Sequence, residues 1–118
     1  LDLNKTYKGI KISSGNSFVH ETESQVILNG SYNINFTMDL VKKDMNLFNE
    51  LSKKLNTQLE ISPFVLDIFK DAEKKYGSRA WSSMVVKRLE DKFDTNFRAT
   101  GFPSELVDDE KEEKGYEI

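Results

Sequence analysis

The stretch Thr37-Met38-Asp39-Leu40-Val41-Lys42-Lys43-Asp44-Met45-Asn46-Leu47-Phe48-Asn49-Glu50-Leu51-Ser52-Lys53-Lys54-Leu55 decides the fold class. Met38, Val41, Met45, Phe48, Leu51 and Leu55 recur at intervals of three or four residues. On a helix that repeats every 3.6 residues, these side chains fall in one continuous apolar stripe. A half-buried strand would instead need alternation at every second residue. The spacing therefore predicts a helix over about 37–55.

The same reading extends outward in both directions. Asp2 suits the cap of a short first helix with Leu3, Tyr7 and Ile10 on one face. The polar run Ser13-Ser14-Gly15-Asn16-Ser17 breaks the pattern, and a second helix is expected from about Ser17 to Leu28. Asn29-Gly30 would end it with a left-handed cap. Downstream, Ser62 at the cap and Pro63 at the first helical position announce a fourth helix, with Ile61, Val65, Ile68, Ala72 and Tyr76 facing inward and Gly77 closing it. A fifth, about Ala80 to Asp91, would present Trp81, Met84, Val85 and Leu89. No segment sustains a period of two. The expectation is an all-α domain of about five helices over residues 1–95, followed by an extended or disordered acidic tail over 96–118.

Composition narrows the function. The chain has 118 residues, 37% hydrophobic and 31% charged, which fits one globular domain. No apolar run approaches the ~18 residues of a membrane span, and no secretory leader is visible, so no membrane partner and a cytoplasmic location are expected. Cysteine is absent, which removes disulfides and thiolate metal sites. The net charge of −3 is uneven: Glu105 to Ile118 carries seven acids against Lys111 and Lys114, leaving the rest of the chain slightly positive at +2. A body so close to neutral offers no basic face for a phosphate backbone, and nucleic acid is not an expected partner.

Few residues could carry chemistry. His20 is the single histidine, so no histidine metal cluster can form and no metal is expected. The G-x-S-x-G, Walker and G-x-G-x-x-G patterns are all missing. One position resists a packing account. Asp44 sits on the apolar stripe, three residues after Val41 and four before Phe48. Lys43 beside it shares a face with Phe36, Leu40 and Leu47. An ionised acid there must be paired, border solvent, or face a polar cleft.

The segment Phe36 to Leu47, read as F-x-x-x-x-x-x-K-D-x-x-L, resembles a block of the β-hydroxyacid dehydrogenases, which include the 3-hydroxyisobutyrate dehydrogenases, the tartronate semialdehyde reductases and 6-phosphogluconate dehydrogenase. Three further blocks follow the same order. Ser13-Ser14-Gly15-Asn16-Ser17-Phe18 is similar to the family's S-x-G-x-S-W loop, with Phe18 in place of Trp. Ile61-Ser62-Pro63 resembles the start of the next helix. Tyr76-Gly77 with Ser82 to Leu89 resembles the closing G-x-x-D-x-S-x-v-i-x-x-L block, with Ala80 where an acid is usual. The likeness covers Leu1 to about Glu90, and Gly101 to Glu110 is similar to a tail on some bacterial members.

The resemblance implies the C-terminal part of a 6-phosphogluconate dehydrogenase-like helical domain, which serves substrate binding and dimerisation. In such enzymes a Rossmann domain binds NAD or NADP, and a long helix brings a catalytic lysine in a G-x-x-x-K-x-x-N-N motif. Neither the glycine fingerprint nor that lysine motif occurs here, and the chain opens on Leu1-Asp2-Leu3. It is accordingly expected to be a fragment, inactive alone and binding no cofactor by itself, with the catalytic Lys outside the chain. By the same resemblance, Lys43 would reach the cofactor across the interdomain cleft, and Phe36, Asp44 and Phe18 would form the wall of the substrate site. Phe18 cannot supply the indole N–H that Trp would. The implied reaction is hydride transfer between a nicotinamide and a small β-hydroxyacid, in a homo-oligomer. A different class of function, a non-catalytic helical interaction or dimerisation module, would rest on the acidic tail and the heptad-like stripe of the third helix.

Overall fold

In a computed structural model that describes residues 1–108, 111 and 115, the chain is all helical, with no strands among the described residues. Helix α1 spans Leu3–Lys11, α2 Phe18–Asn29, α3 Met38–Lys54, α4 Ile61–Tyr76 and α5 Lys87–Phe93, with a 3-10 helix over Ser82–Val86 leading into α5. The predicted N-cap at Asp2 forms, accepting from the Lys5 N–H at 3.1 Å; Ser17, expected as the start of the second helix, caps it instead, accepting from the His20 N–H at 3.0 Å. Gly30 ends α2 in the left-handed region at φ 92°.

Three expectations need correction. Ser62 does not cap α4: the helix begins two residues earlier than expected, at Ile61 with Glu60 in the cap position, and Pro63 occupies its third position. Any of the first four N–H groups lacks an intrahelical partner, so proline is tolerated there as well. Ile61 does not face inward; it is 74% exposed, and Leu66 and Ala72 are the buried positions of α4. The fifth helix starts as the tighter 3-10 turn, with Ser82, Ser83 and Glu90 buried and Leu89 exposed.

Segment 78–82 caps the N-terminus of α3 with its own backbone: Met38 N–H donates to Ala80 O at 2.9 Å, and Asp39 N–H to Ser78 O at 3.0 Å. In return Ser82 N–H donates to Phe36 O at 2.8 Å, so Thr37 and Trp81 form an antiparallel bridge. Orphan donors that Thr37 would otherwise have to satisfy are thus taken up by distant carbonyls. The predicted stripe of α3 is buried at this end only. Met38 is fully buried, whereas Phe48, Leu51 and Leu55 are 55%, 51% and 65% exposed.

The core is held by a buried acid. Glu90 is 2% exposed and accepts from the Tyr32 hydroxyl, from the Phe97 N–H at 2.9 Å and from Arg98 Nη1 at 2.7 Å. Arg98 Nη2 also donates to the Tyr32 hydroxyl at 2.7 Å, and its guanidinium lies over the Tyr32 ring. Tyr32 is itself buried in the left-handed region at φ 55°, a cost of about 1–2 kcal/mol for a bulky residue that these contacts offset. Beyond the helices, Ala99 N–H donates to Leu28 O, Asn29 Nδ2 donates to Phe102 O, and the Phe102 ring meets Tyr7 edge-on. Residues 96–103 are therefore irregular in conformation but packed on α1 and α2. Most of the acidic run, at 109–110, 112–114 and 116–118, lies outside the described residues.

Burial raises the Glu90 carboxyl, but Tyr32, the Phe97 N–H and Arg98 outweigh it and hold the group below its ordinary value of 4.5. Its stabilising contribution is complete above that value and is lost as pH falls through the carboxylate range. Burial, then Glu90, pushes the Tyr32 hydroxyl up to about 12 from 10.0, so that its contribution is lost as pH rises from 10 toward 12. Glu90→Gln should lower the unfolding free energy by roughly 2–3 kcal/mol and flatten the acid limb of the stability–pH curve. Urea midpoints between pH 3 and 7 check both; an unchanged midpoint at pH 7 would show that the buried charge holds nothing together.

Candidate functional site

Lys43 and Asp44 lie on the outer part of α3. Their side chains form an ion pair of 3.2 Å and are 60% and 56% exposed. Neighbours on a helix point about 100° apart, so the lysine stem folds back toward its neighbour. An exposed pair of this kind holds little energy, about 0–1 kcal/mol. Asp44 borders a mostly apolar groove of about 680 Å³ between α3 and α4, with Met45, Phe48, Leu59, Ile61 and Val65 among its walls. Lys43 stands outside that groove.

Phe36 precedes α3 and is half-buried. Its carbonyl is fixed by the Ser82 N–H, and its side chain borders a hollow of about 710 Å³ with Asn33, Ile34, Asn35, Trp81, Glu105 and Leu106. Phe18, first residue of α2 and 52% exposed, borders a smaller hollow of about 220 Å³ with Lys11, Glu21, Thr22, Gln25, Val107 and Asp108. The four residues singled out in the sequence thus do not share one cavity. Phe36 and Phe18 are nonetheless close to a common track, because residues 105–106 line the first hollow and 107–108 the second. Four extended residues span at most about 14 Å.

Charged groups around these positions are arranged in pairs. Asp39, in the first turn of α3, accepts from the Thr37 hydroxyl and from Arg79 at 3.1 Å; these hold its carboxyl below the usual range despite some desolvation. Lys42 pairs with Glu73 and Arg88 with Asp71, at 2.6 Å, tying α4 to its neighbours. Asp91 receives Lys75, Tyr76 and Lys87, which hold it well below the carboxylate range. Glu23 is different: it is half-buried on α2, and burial alone pushes its carboxyl up. It borders none of the hollows that hold Phe18, Phe36 and Asp44.

His20 is engaged structurally. One ring nitrogen meets Tyr7 O at 3.0 Å, the other meets the Ser24 hydroxyl at 3.1 Å, and the ring stacks on Tyr7. Among the described residues no three His, Asp or Glu side chains gather as a metal site, and no helix is long and apolar enough to cross a membrane. A dinucleotide needs a glycine-rich turn at a helix N-terminus for its pyrophosphate. Gly30 and Gly77 instead follow the C-termini of α2 and α4, where carbonyls project. Neither glycine therefore offers a phosphate cradle for a dinucleotide.

The structure is an all-α body whose longest helix carries an exposed lysine–acid pair. The family model for the NAD-binding domain of NADP-dependent 3-hydroxyisobutyrate dehydrogenase matches residues 1–100, and the chain belongs to that family. The matched span takes in all five α-helices and the Arg98 anchor. Neither the curated proteins nor the solved structures provide a match. The chain is thus an NAD(P)-binding, dehydrogenase-type domain with oxidoreductase parentage.

The apolar groove between α3 and α4 was not legible as a groove, since periodicity gives a stripe but not what covers it. With Phe48, Leu51, Ile61 and Phe64 all more than half exposed, this face should promote association. Leu51→Asp together with Phe64→Asp should leave the helical content unchanged and abolish concentration-dependent self-association. Sedimentation velocity at several concentrations measures this, and a wild-type chain that stays monomeric at every concentration contradicts it.

Proposed function

We propose that the chain is the C-terminal substrate and dimerisation domain of an NAD(P)-dependent oxidoreductase that transfers a hydride between a nicotinamide cofactor and a small, 3-hydroxyisobutyrate-like β-hydroxyacid. Residues 1–95 form its helical body and 96–118 its tail. The observation that carries the reading is the Lys43–Asp44 pair, which stands exposed within the matched span. The catalytic lysine and the phosphate-binding glycines belong to a part of the protein outside these 118 residues, and the chain alone is inactive.

In that assembly the cofactor supplies the hydride acceptor or donor. Lys43 swings from Asp44 to a polar group on the cofactor, which costs little because the pair is already solvated. Its role is orientation, holding the nicotinamide end at one distance and angle from the substrate. Asp44 then remains as a polar rim on an otherwise apolar groove. Phe36 and Phe18 each supply apolar wall from the separate hollows they border, along the face that residues 105–108 traverse. The location is cytoplasmic and the active form a homo-oligomer built through the α3–α4 face.

Two measurements test the assignment. The coding sequence upstream of Leu1 should encode G-x-G-x-x-G and later K-x-x-N-N; an unrelated segment there favours the non-catalytic interaction module, which the uncovered α3–α4 face also suits. In the full-length enzyme, Lys43→Ala should raise KM for NAD(P) roughly tenfold, the scale of one charge-assisted hydrogen bond, with a smaller change in kcat. Equal KM values for variant and wild type remove Lys43 from the cofactor site.

A further inference from the structure

The tail does not leave the body at Phe102. Glu105 and Leu106 line the hollow that contains Phe36 and Trp81, and Val107 and Asp108 line the hollow that contains Phe18. Leu106 and Val107 are exposed at 38% and 39%, so each is partly covered while it borders its hollow. The path is held from upstream: Arg98 is tied to Glu90, Ala99 to Leu28 and Phe102 to Asn29 and Tyr7, so the segment starts from a fixed point only a few residues away.

We propose that the segment 104–108 is an intramolecular strap that competes with the anionic substrate for the face carrying Phe36 and Phe18. The proposal rests on the reading of those two residues as substrate wall. Its chemical basis is likeness between strap and substrate. A small β-hydroxyacid presents one carboxylate on a short apolar skeleton. Glu105-Leu106 presents a carboxylate beside an apolar side chain, and Val107-Asp108 repeats the combination in the opposite order.

A tethered competitor needs little affinity of its own. Held a few residues from its anchor, it acts at an effective concentration of about millimolar. The strap also puts negative charge where an acid substrate must arrive, and salt screens that repulsion between exposed groups. The apparent affinity for substrate is then reduced by the fraction of molecules in which the strap is down. The acids beyond Asp108 add to the same sign of charge without being needed for the contact.

The chain carries its own reporter. Trp81 is the only tryptophan and borders the hollow with Glu105 and Leu106. Two variants separate the strap from general unfolding: a chain ending at Pro103, and the full chain with Leu106→Asp. Both should keep the helical circular dichroism, while acrylamide quenching of Trp81 rises about twofold as the open population grows. In the full-length enzyme both should lower KM for the β-hydroxyacid about three- to tenfold, most at low salt, with KM for NAD(P) unchanged. Unchanged quenching in both variants overturns the strap. Raised quenching with an unchanged KM for the acid overturns its competition with substrate. A full-length protein with no dehydrogenase activity on any small β-hydroxyacid removes the functional reading itself, and the competition with it, although the quenching result would stand.

Discussion

The structure depends on one buried negative charge. Isolated in a protein interior, a carboxylate costs several kcal/mol, and it is kept only where donors surround it. Glu90 has three: a phenol, a backbone N–H and a guanidinium. Each comes from a different part of the chain. Tyr32 belongs to the loop between α2 and α3, Glu90 to α5, and Phe97 and Arg98 to the segment that follows the helices. Satisfying one charge therefore fixes three segments at once. The loop so fixed runs directly to Phe36, and the segment after Arg98 runs directly to the strap. Gly30 completes the arrangement. At φ 92° it turns the chain toward Tyr32, and a Cβ there would lie 2.5 Å from Arg98 Nε, so this position must leave room for the guanidinium.

Away from that network the packing is uneven. Val26, Leu28, Tyr32, Met38, Leu66 and Ala72 are the buried apolar residues among those described, and Tyr32 joins them to the Glu90 network. Toward its C-terminus α3 meets chiefly α4, and the outer faces of both remain uncovered. An apolar stripe on a lone helical hairpin is poor value for a single domain, because each exposed large side chain forgoes roughly 1.5–3 kcal/mol of burial. It is economical where another surface completes the core. Among the described residues nothing supplies that surface for the α3–α4 face.

The parts of this fold that could be read in the sequence are those governed by local rules. The Asp2 cap, the Gly30 stop and the period of α3 all depend on residues within one or two turns. The α3 stripe was legible as a stripe, but its exposure at Phe48, Leu51 and Leu55 depends on what packs against it. The start of α4 was misplaced because Ser62-Pro63 satisfies the cap rule, while proline is equally at home at the third position. Glu90 gave no signal: a single acid in a helix of mixed charges looks like surface, and its partners lie 58, 7 and 8 residues away. Likewise the candidate site was legible as residue types. The division of Phe18, Phe36 and Asp44 among three hollows, and the passage of the tail along two of them, arise only from tertiary placement.

The exposure of Lys43 and Asp44 bears directly on the role proposed for them. Had the pair been buried, separating it would strand a charge and cost about 3–5 kcal/mol, and no cofactor contact through one hydrogen bond could repay that. Exposed at 60% and 56%, the pair is close to neutral in energy. Lys43 can then exchange its carboxylate for another acceptor with almost no loss, and the interaction formed with that acceptor appears nearly undiminished in binding. A weak resting partner is what a residue needs if it is to be released each time a cofactor arrives. Glu90 and Arg98 show the opposite arrangement in the same chain: a pair buried on one side and multiply bonded, which is fit for holding segments together and unfit for turnover.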